Sequence, residues 1–145
     1  MIAYADTSFL VSLYGSDPNA AKAVHEFQHF QPTFLITPFN ELEFVTAFEA
    51  IAFRGIATPS EVDATIRTFQ ADLASGVLRR HSAPANAFGE ATSLSSRYTR
   101  AMGCRTLDIL HVGMALALGV EAFFTFDKDQ AKLARRVGLP VKPVR

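Results

Sequence analysis

The sequence predicts an α/β fold: a mostly parallel sheet of four to five strands with helices on both faces. Three observations carry that reading. Short apolar runs at residues 2–5, 34–36 and 121–125 end at Asp6-Thr7 (either a candidate cap), Thr37-Pro38 and Asp127, and helical periodicity follows each. Each strand therefore leads into a helix before the next strand, and repeated crossovers of this kind make neighbouring strands parallel. Residues 104–130 (CRTLDILHVGMALALGVEAFFTFDKDQ) hold a helix that is apolar almost all round, then a turn at Gly119 and a strand, and such a helix must be buried.

Taken in order, residues 2–5 reach Asp6-Thr7-Ser8, where Asp6 or Thr7 caps a helix through Phe9 and Tyr14. Gly15 closes that helix, and Asp17-Pro18 starts another with a cap and a proline at the first helical position. Ala20, Ala21, Val24, Phe27 and Phe30 form its apolar face until Gln31-Pro32 breaks it. After the second strand, Phe39, Leu42, Val45, Phe48 and Ile51 recur at helical spacing as far as Phe53, interrupted by Glu41, Glu43 and Glu49. Thr58-Pro59-Ser60-Glu61 opens the next helix, whose stripe is Val62, Ile66, Phe69 and Leu73. Residues 77–81 read as a weak third strand, with Arg79 and Arg80 marking a sheet edge. Pro84 begins a helix running through Ala91 and Leu94 to Tyr98. Thr106 caps the long apolar helix and sets Asp108 in its first turn, where the helix dipole favours a carboxylate, with His111 one turn further on. A last helix follows Asp127, and Gly138-Leu139-Pro140 leads to a final strand at 141–144.

At 145 residues, 49% hydrophobic and 19% charged, one domain spanning 1–145 is the simplest organisation, and there is no internal repeat, low-complexity segment or linker. No apolar run approaches the roughly 18 residues of a membrane span. The opening MIAYADTSFLVSLY lacks a basic region and carries an acid inside its apolar segment, which makes a poor signal peptide. The lone cysteine, Cys104, permits no intrachain disulfide, in keeping with a cytoplasmic protein. Formal charge is zero, yet residues 1–78 carry a net −6 and residues 79–145 a net +6. That division suits two solvated faces of opposite sign, able to meet in a homodimer, and it also suits a basic rim for a polyanion.

Four acids have related positions. Asp6 follows the first strand, Glu43 lies in the helix after the second, and Asp108 and Asp127 flank the long helix and the strand after it. Strand carboxyl ends in a parallel sheet share one edge, so these acids are expected to converge there. Each also has a plainer role: Asp6 as a helix cap, Asp108 as a dipole-favoured acid, Glu43 as a solvated helix residue. Close carboxylates raise one another's pKa unless a cation is present, and Mg²⁺ or Mn²⁺ is the natural counter-ion for oxygen ligands. One or two such ions can clamp a phosphodiester and activate water. Thr7, Ser8, Asn40 and Thr125 are small polar groups beside the acids, suited to orienting metal waters or a phosphate, and Thr7 and Ser8 are equally suited to capping and turns.

The segments YADTSFLVSLY, TPFNELEFVTAF and TLDILHVGMALALGVEAFFTFDKDQAKLA resemble the three motif blocks of the PIN domain, and more narrowly those of VapBC-type toxin nucleases. The last block is the specific one, with Asp108, His111, Ala115, Gly119, Thr125 and Asp127 at matching spacing. The resemblance implies a three-layer sandwich and a metal-dependent ribonuclease whose acids fall on Asp6, Glu43, Asp108 and Asp127. It also implies homodimerisation and inhibition by a small antitoxin protein. Glu41 competes with Glu43 for the middle position, and Asp129 with Asp127. In this reading the bases from residue 79 onward steer RNA. Two rivals stand beside it: a PIN-like RNA-binding or RNA-processing module with little turnover, and an Asp-phosphoacceptor or phosphatase domain built on Asp6. Thr7-Ser8 after Asp6, and Arg79-Arg80 in the third strand, depart from the acids that the second rival would need.

Overall fold

The computed structural model describes residues 1–144; Arg145, the last of the C-terminal bases, lies outside them. Strands β1 (Ile2–Ala5), β2 (Thr33–Ile36), β3 (Arg79–Arg80), β4 (Ala122–Phe124) and β5 (Val141–Lys142) form one sheet in the order β3-β2-β1-β4-β5. Every pairing is parallel, so the mostly parallel expectation becomes wholly parallel. Because side chains alternate along a strand, each inner strand feeds two cores. Tyr4, Leu35 and Phe123 enter one core, while Ala3, Ala5, Phe34, Ile36, Ala122 and Phe124 enter the other.

Helices α1 (Thr7–Tyr14), α2 (Ala20–Phe30), α3 (Pro38–Phe53) and α4 (Pro59–Ser75) cover the second of these cores. Helices α5 (Ala87–Leu94), α7 (Thr106–Leu118) and α8 (Lys128–Arg136) cover the first. The result is the expected three layers. Between α5 and α7, residues Ser95–Thr99 form a π-helical turn that continues into a short α6 (Arg100–Met102). Among the described residues no helix is long and apolar enough to cross a membrane.

Several boundaries differ from the sequence reading. The helix expected from Pro84 starts at Ala87, after a turn in which Ala87 N donates to the Pro84 carbonyl. It also leaves α geometry at Ser95, whose hydroxyl meets that of Thr99 at 3.0 Å. Thr106 does not cap α7: Arg105 holds that position without a side-chain bond, and Thr106 is already helical. Asp17-Pro18 forms a turn rather than a helix start, with the Asp17 carboxylate accepting from Asn19 N and α2 beginning at Ala20. The edge strands are shorter than expected, Arg79–Arg80 and Val141–Lys142, because each has a partner on one side alone.

The cross-packing of α5 on α7 is close enough to need a glycine. A Cβ at Gly113 would sit 2.8 Å from Ala91 N, whereas one at Gly89 would meet nothing within 4 Å. The two positions should therefore respond oppositely. Gly113→Ala overpacks a backbone contact and is expected to cost about 1–3 kcal/mol. Gly89→Ala gains helix propensity and is expected to add up to about 1 kcal/mol. Urea denaturation of both variants checks the contrast.

Candidate active site

Asp6 lies where β1 ends and α1 starts, and the same carboxylate serves both. Its Oδ1 accepts from Phe9 N at 2.9 Å and from Ser8 Oγ at 2.7 Å, and its Oδ2 accepts from Thr125 Oγ1. Ser8 Oγ also accepts from Phe126 N at 3.0 Å, so two hydroxyls lace the start of α1 to the end of β4. Asp6 is fully buried, and burial pushes its carboxyl above the usual range; His111 and the donors Thr125, Ser8 and Phe9 offset part of that. Among the described residues no Lys or Arg forms an ion pair with it.

Asp127 caps α8, accepting from Asp129 N at 2.8 Å and Gln130 N at 2.9 Å, while its own N–H donates to Thr125 Oγ1. Asp108, in the first turn of α7, is half-buried and accepts from Gln130 Nε2 at 3.3 Å. Burial first, then the neighbouring Asp127, raises the Asp108 carboxyl, against the pull of Arg105. The two acids thus face one another's field. Asp129 and Gln130 line a small cavity of about 50 Å³ with Asp108, and Gln130 Oε1 is buried without a hydrogen-bond partner.

A second network holds Glu43. Its Oε1 receives Thr7 Oγ1 at 3.0 Å and His111 Nε2 at 2.8 Å, and the His111 bond, with Thr7's help, keeps the carboxyl below its usual range despite burial. Behind it, Asn40 Nδ2 donates to Tyr4 Oη at 3.0 Å, and Tyr4 Oη meets His111 Nδ1 at 2.7 Å. Burial pushes the Tyr4 phenol well above its ordinary value, so it remains a donor. The donor count then assigns the proton of His111 to Nε2: Asn40 gives to Tyr4, Tyr4 to Nδ1, and Nε2–H to Glu43. Thr37 and Asn40 anchor the chain through a reciprocal capping box at the start of α3.

These acids stand on one edge, but their supporting residues divide into groups. Asp6, Ser8 and Thr125 are directly bonded, as are Thr7, Glu43 and His111; Asn40 bonds no acid and reaches Glu43 three hydrogen bonds away, through Tyr4 and His111. Glu41, the competitor of Glu43, pairs with Arg80 at 3.3 Å beside β3. Tyr4 and Gln130 were not among the sequence candidates. The signal for Tyr4 was a phenol inside an otherwise apolar strand, which requires a buried partner. For Gln130 the sequence offers no comparable signal.

Among the described residues no three His, Cys, Asp or Glu side chains stand close enough to form a ready-made metal cage. The donors nonetheless fit a hard divalent cation. Asp6 is a buried acid with no Lys or Arg paired to it among the described residues, and Asp108 and Asp127 repel. Mg²⁺ commonly binds through one or two carboxylates and keeps several waters, so an open carboxylate set is compatible with it.

A parallel sheet with acids grouped at its carboxyl edge defines the class of α/β proteins that bind ligands at strand ends. The chain belongs to the PIN domain family, whose model matches residues 3–136. Among solved structures it is similar to VapC20 of Mycobacterium tuberculosis, a sarcin–ricin-loop-cleaving toxin. The TM-score is 0.68 at 18% identity, over 94% of this chain and 95% of that one. It is similar also to VapBC2 of Rickettsia felis bound to a DNA fragment from its promoter, with a TM-score of 0.68 at 16% identity over 98% of each chain. PAE2754 of Pyrobaculum aerophilum gives 0.65 at 14% identity, over 97% of this chain and 83% of that one. At these identities the likeness is one of fold. No curated protein matches the chain by sequence.

Two outcomes are expected. Tyr4→Phe strands the Asn40 amide and His111 Nδ1 without a partner and should cost about 1–3 kcal/mol in urea denaturation. Asp6 binds its proton more tightly folded than unfolded, so its contribution favours the folded state at low pH and is lost as pH rises through the raised folded pKa. Metal-free Asp6→Asn, which keeps a capping side chain, should therefore melt above wild type at neutral pH, with the difference shrinking on acidification. Thermal melts across pH in EDTA test the sign.

Proposed function

We propose that the protein is a divalent-metal-dependent endoribonuclease and the toxin of a toxin–antitoxin pair, acting in the cytoplasm. The observation that carries the reading is Asp6: a fully buried carboxylate at the sheet's carboxyl edge, held by hydroxyls and an N–H with no Lys or Arg paired to it among the described residues. Membership of the PIN family and the fold shared with VapC20 and VapBC2 support nuclease and toxin roles. Exposed Phe53, Ile56 and Leu42 on and beside α3 offer apolar surface for a small antitoxin protein, and exposed Phe88 offers it for a second copy in a homodimer.

In this reading Asp6, Asp108 and Asp127 hold Mg²⁺ or Mn²⁺. Bound there, the cation would stabilise charge on the phosphoryl oxygens and lower the pKa of a water. Thr125 and Ser8 fix both oxygens of Asp6, and Asp127 presents its remaining oxygen because Oδ1 is committed to α8. Glu43 has Oε1 committed to Thr7 and His111, which leaves Oε2 for the ion or for orienting the attacking water. Asn40 supports Oε1 at a distance, through Tyr4 and His111.

One observation favours a second reading. The described residues include no closed three-ligand cluster, as expected for an RNA-binding module with little turnover. The phosphoacceptor alternative is disfavoured by Ser8, which stands two residues after Asp6 where such a site needs a second acid and instead donates to Asp6 Oδ1.

Cleavage of total RNA with added Mg²⁺ or Mn²⁺, with and without EDTA, tests the proposal. EDTA should abolish cutting. Asp6→Asn and Asp108→Asn should each reduce it by more than the roughly 10–100-fold typical of losing a ligand's outer support. Undiminished cleavage in either variant would sink the carboxylate mechanism, and binding without cutting under every metal would favour the second reading.

A further inference from the structure

Beside Thr125 the carboxyl edge opens into another cavity, of about 390 Å³, whose lining includes Asn19, Lys22, Thr125, Phe126, Lys128 and Arg135. Its charge is one-sided, with three bases and no acid among the described lining residues. This is not an extension of the acidic site. Asp127, Lys128 and Asp129 occur in succession, yet the start of α8 sends them apart: Asp129 lines the small cavity with Asp108, while Lys128 lines the basic one. Thr125 is the shared wall, since its hydroxyl donates to Asp6 while the residue lines the basic cavity.

Lys22 comes from α2, and Lys128 and Arg135 from α8; all three are exposed. Among the described residues none of them pairs with a carboxylate. Like charges gathered from separate elements repel unless an anion lies among them. Phe126 adds a planar surface: it is half-buried, and its ring is stacked on Phe9 with centroids 5.2 Å apart. Cations with a braced aromatic ring are the combination that binds single-stranded nucleic acid, the cations taking phosphate and the ring a base face.

We infer that this cavity is a nucleotide subsite for single-stranded RNA. It holds the phosphate adjoining the one presented to the acids, with the neighbouring base on Phe126. The choice of RNA rests on the ribonuclease reading above; the cavity's own chemistry calls for a polyanion bearing planar groups. Strand direction through the site then runs past Thr125, from a basic compartment into an acidic one.

The test is fluorescence anisotropy of a labelled single-stranded RNA oligonucleotide against the full chain in EDTA, titrated with salt, so that neither metal nor cleavage enters. The variant carrying Lys22→Gln, Lys128→Gln and Arg135→Gln should bind at least about tenfold more weakly and lower the salt slope by about 2. Phe126→Leu should weaken binding by about tenfold with its slope unaltered. Arg54→Gln, outside the cavity, should match wild type, and equal melting temperatures verify that the charge variant is folded. Wild-type affinity and slope in the triple variant overturn the subsite. Displacement of RNA by poly-glutamate at equal charge concentration overturns the nucleotide in favour of an acidic protein segment. Binding that depends on these residues in a chain that cuts no RNA upholds the subsite and defeats the nuclease reading instead.

Discussion

The carboxylate of Asp6 joins three elements of this molecule. It ends β1, caps α1, and receives the hydroxyl that follows β4, so the central strand, its neighbour and the first helix share one anion. The acidic edge depends on that convergence: Thr125 is held where its hydroxyl also receives Asp127 N, and Thr7, next in sequence, is aimed at Glu43. A buried carboxylate is costly in a low-dielectric interior, and here hydroxyls and an N–H compensate it without neutralising it. In the proposed function, the residual negative charge is what draws a cation to this edge.

Two cores, one on each side of the sheet, explain why so short a chain can support this arrangement. Phe9, Phe34, Phe44 and Phe124 fill one side and leave the helix starts little freedom, while Tyr4 and Phe123 fill the other. Tyr4 stacks on Phe123 with centroids 5.5 Å apart and still places its hydroxyl between Asn40 and His111. Apolar packing thereby sets the position of a polar chain that ends on Glu43.

Much of this was readable before any coordinates. Asp6, Thr37 and Asp127 each follow a short apolar run, and caps after strands are strong local signals, so the alternation of elements and the edge where the acids gather could be read directly. What escaped has a common cause: it depends on distant partners. Asn40 resembles a residue beside an acid, but its oxygen is consumed by Thr37 and its amide by Tyr4, contacts that exist only after β1 and α3 dock. The π-helical turn at Ser95–Thr99 leaves no periodic trace, and the short edge strands reflect pairing on one side alone. Glu41 and Glu43 are two residues apart on one helix; the Arg80 pair on one side and His111 on the other separate them, and both partners come from far along the chain.

The double employment of Asp6 and Asp127 as helix caps has an evolutionary corollary. Replacing a capping Asp by an apolar residue costs about 0.5–2 kcal/mol whether or not the protein is active, so selection for folding alone preserves a polar side chain at both positions. Asp108 caps nothing, so no such pressure protects it, whereas Glu43 is kept polar by the buried His111 it bonds. Lineages that lose the proposed activity should decay unevenly: position 108 drifts freely, while positions 6 and 127 wander only among Asp, Asn, Ser and Thr. A descendant could therefore keep half of an ancestral site as a fossil of the fold.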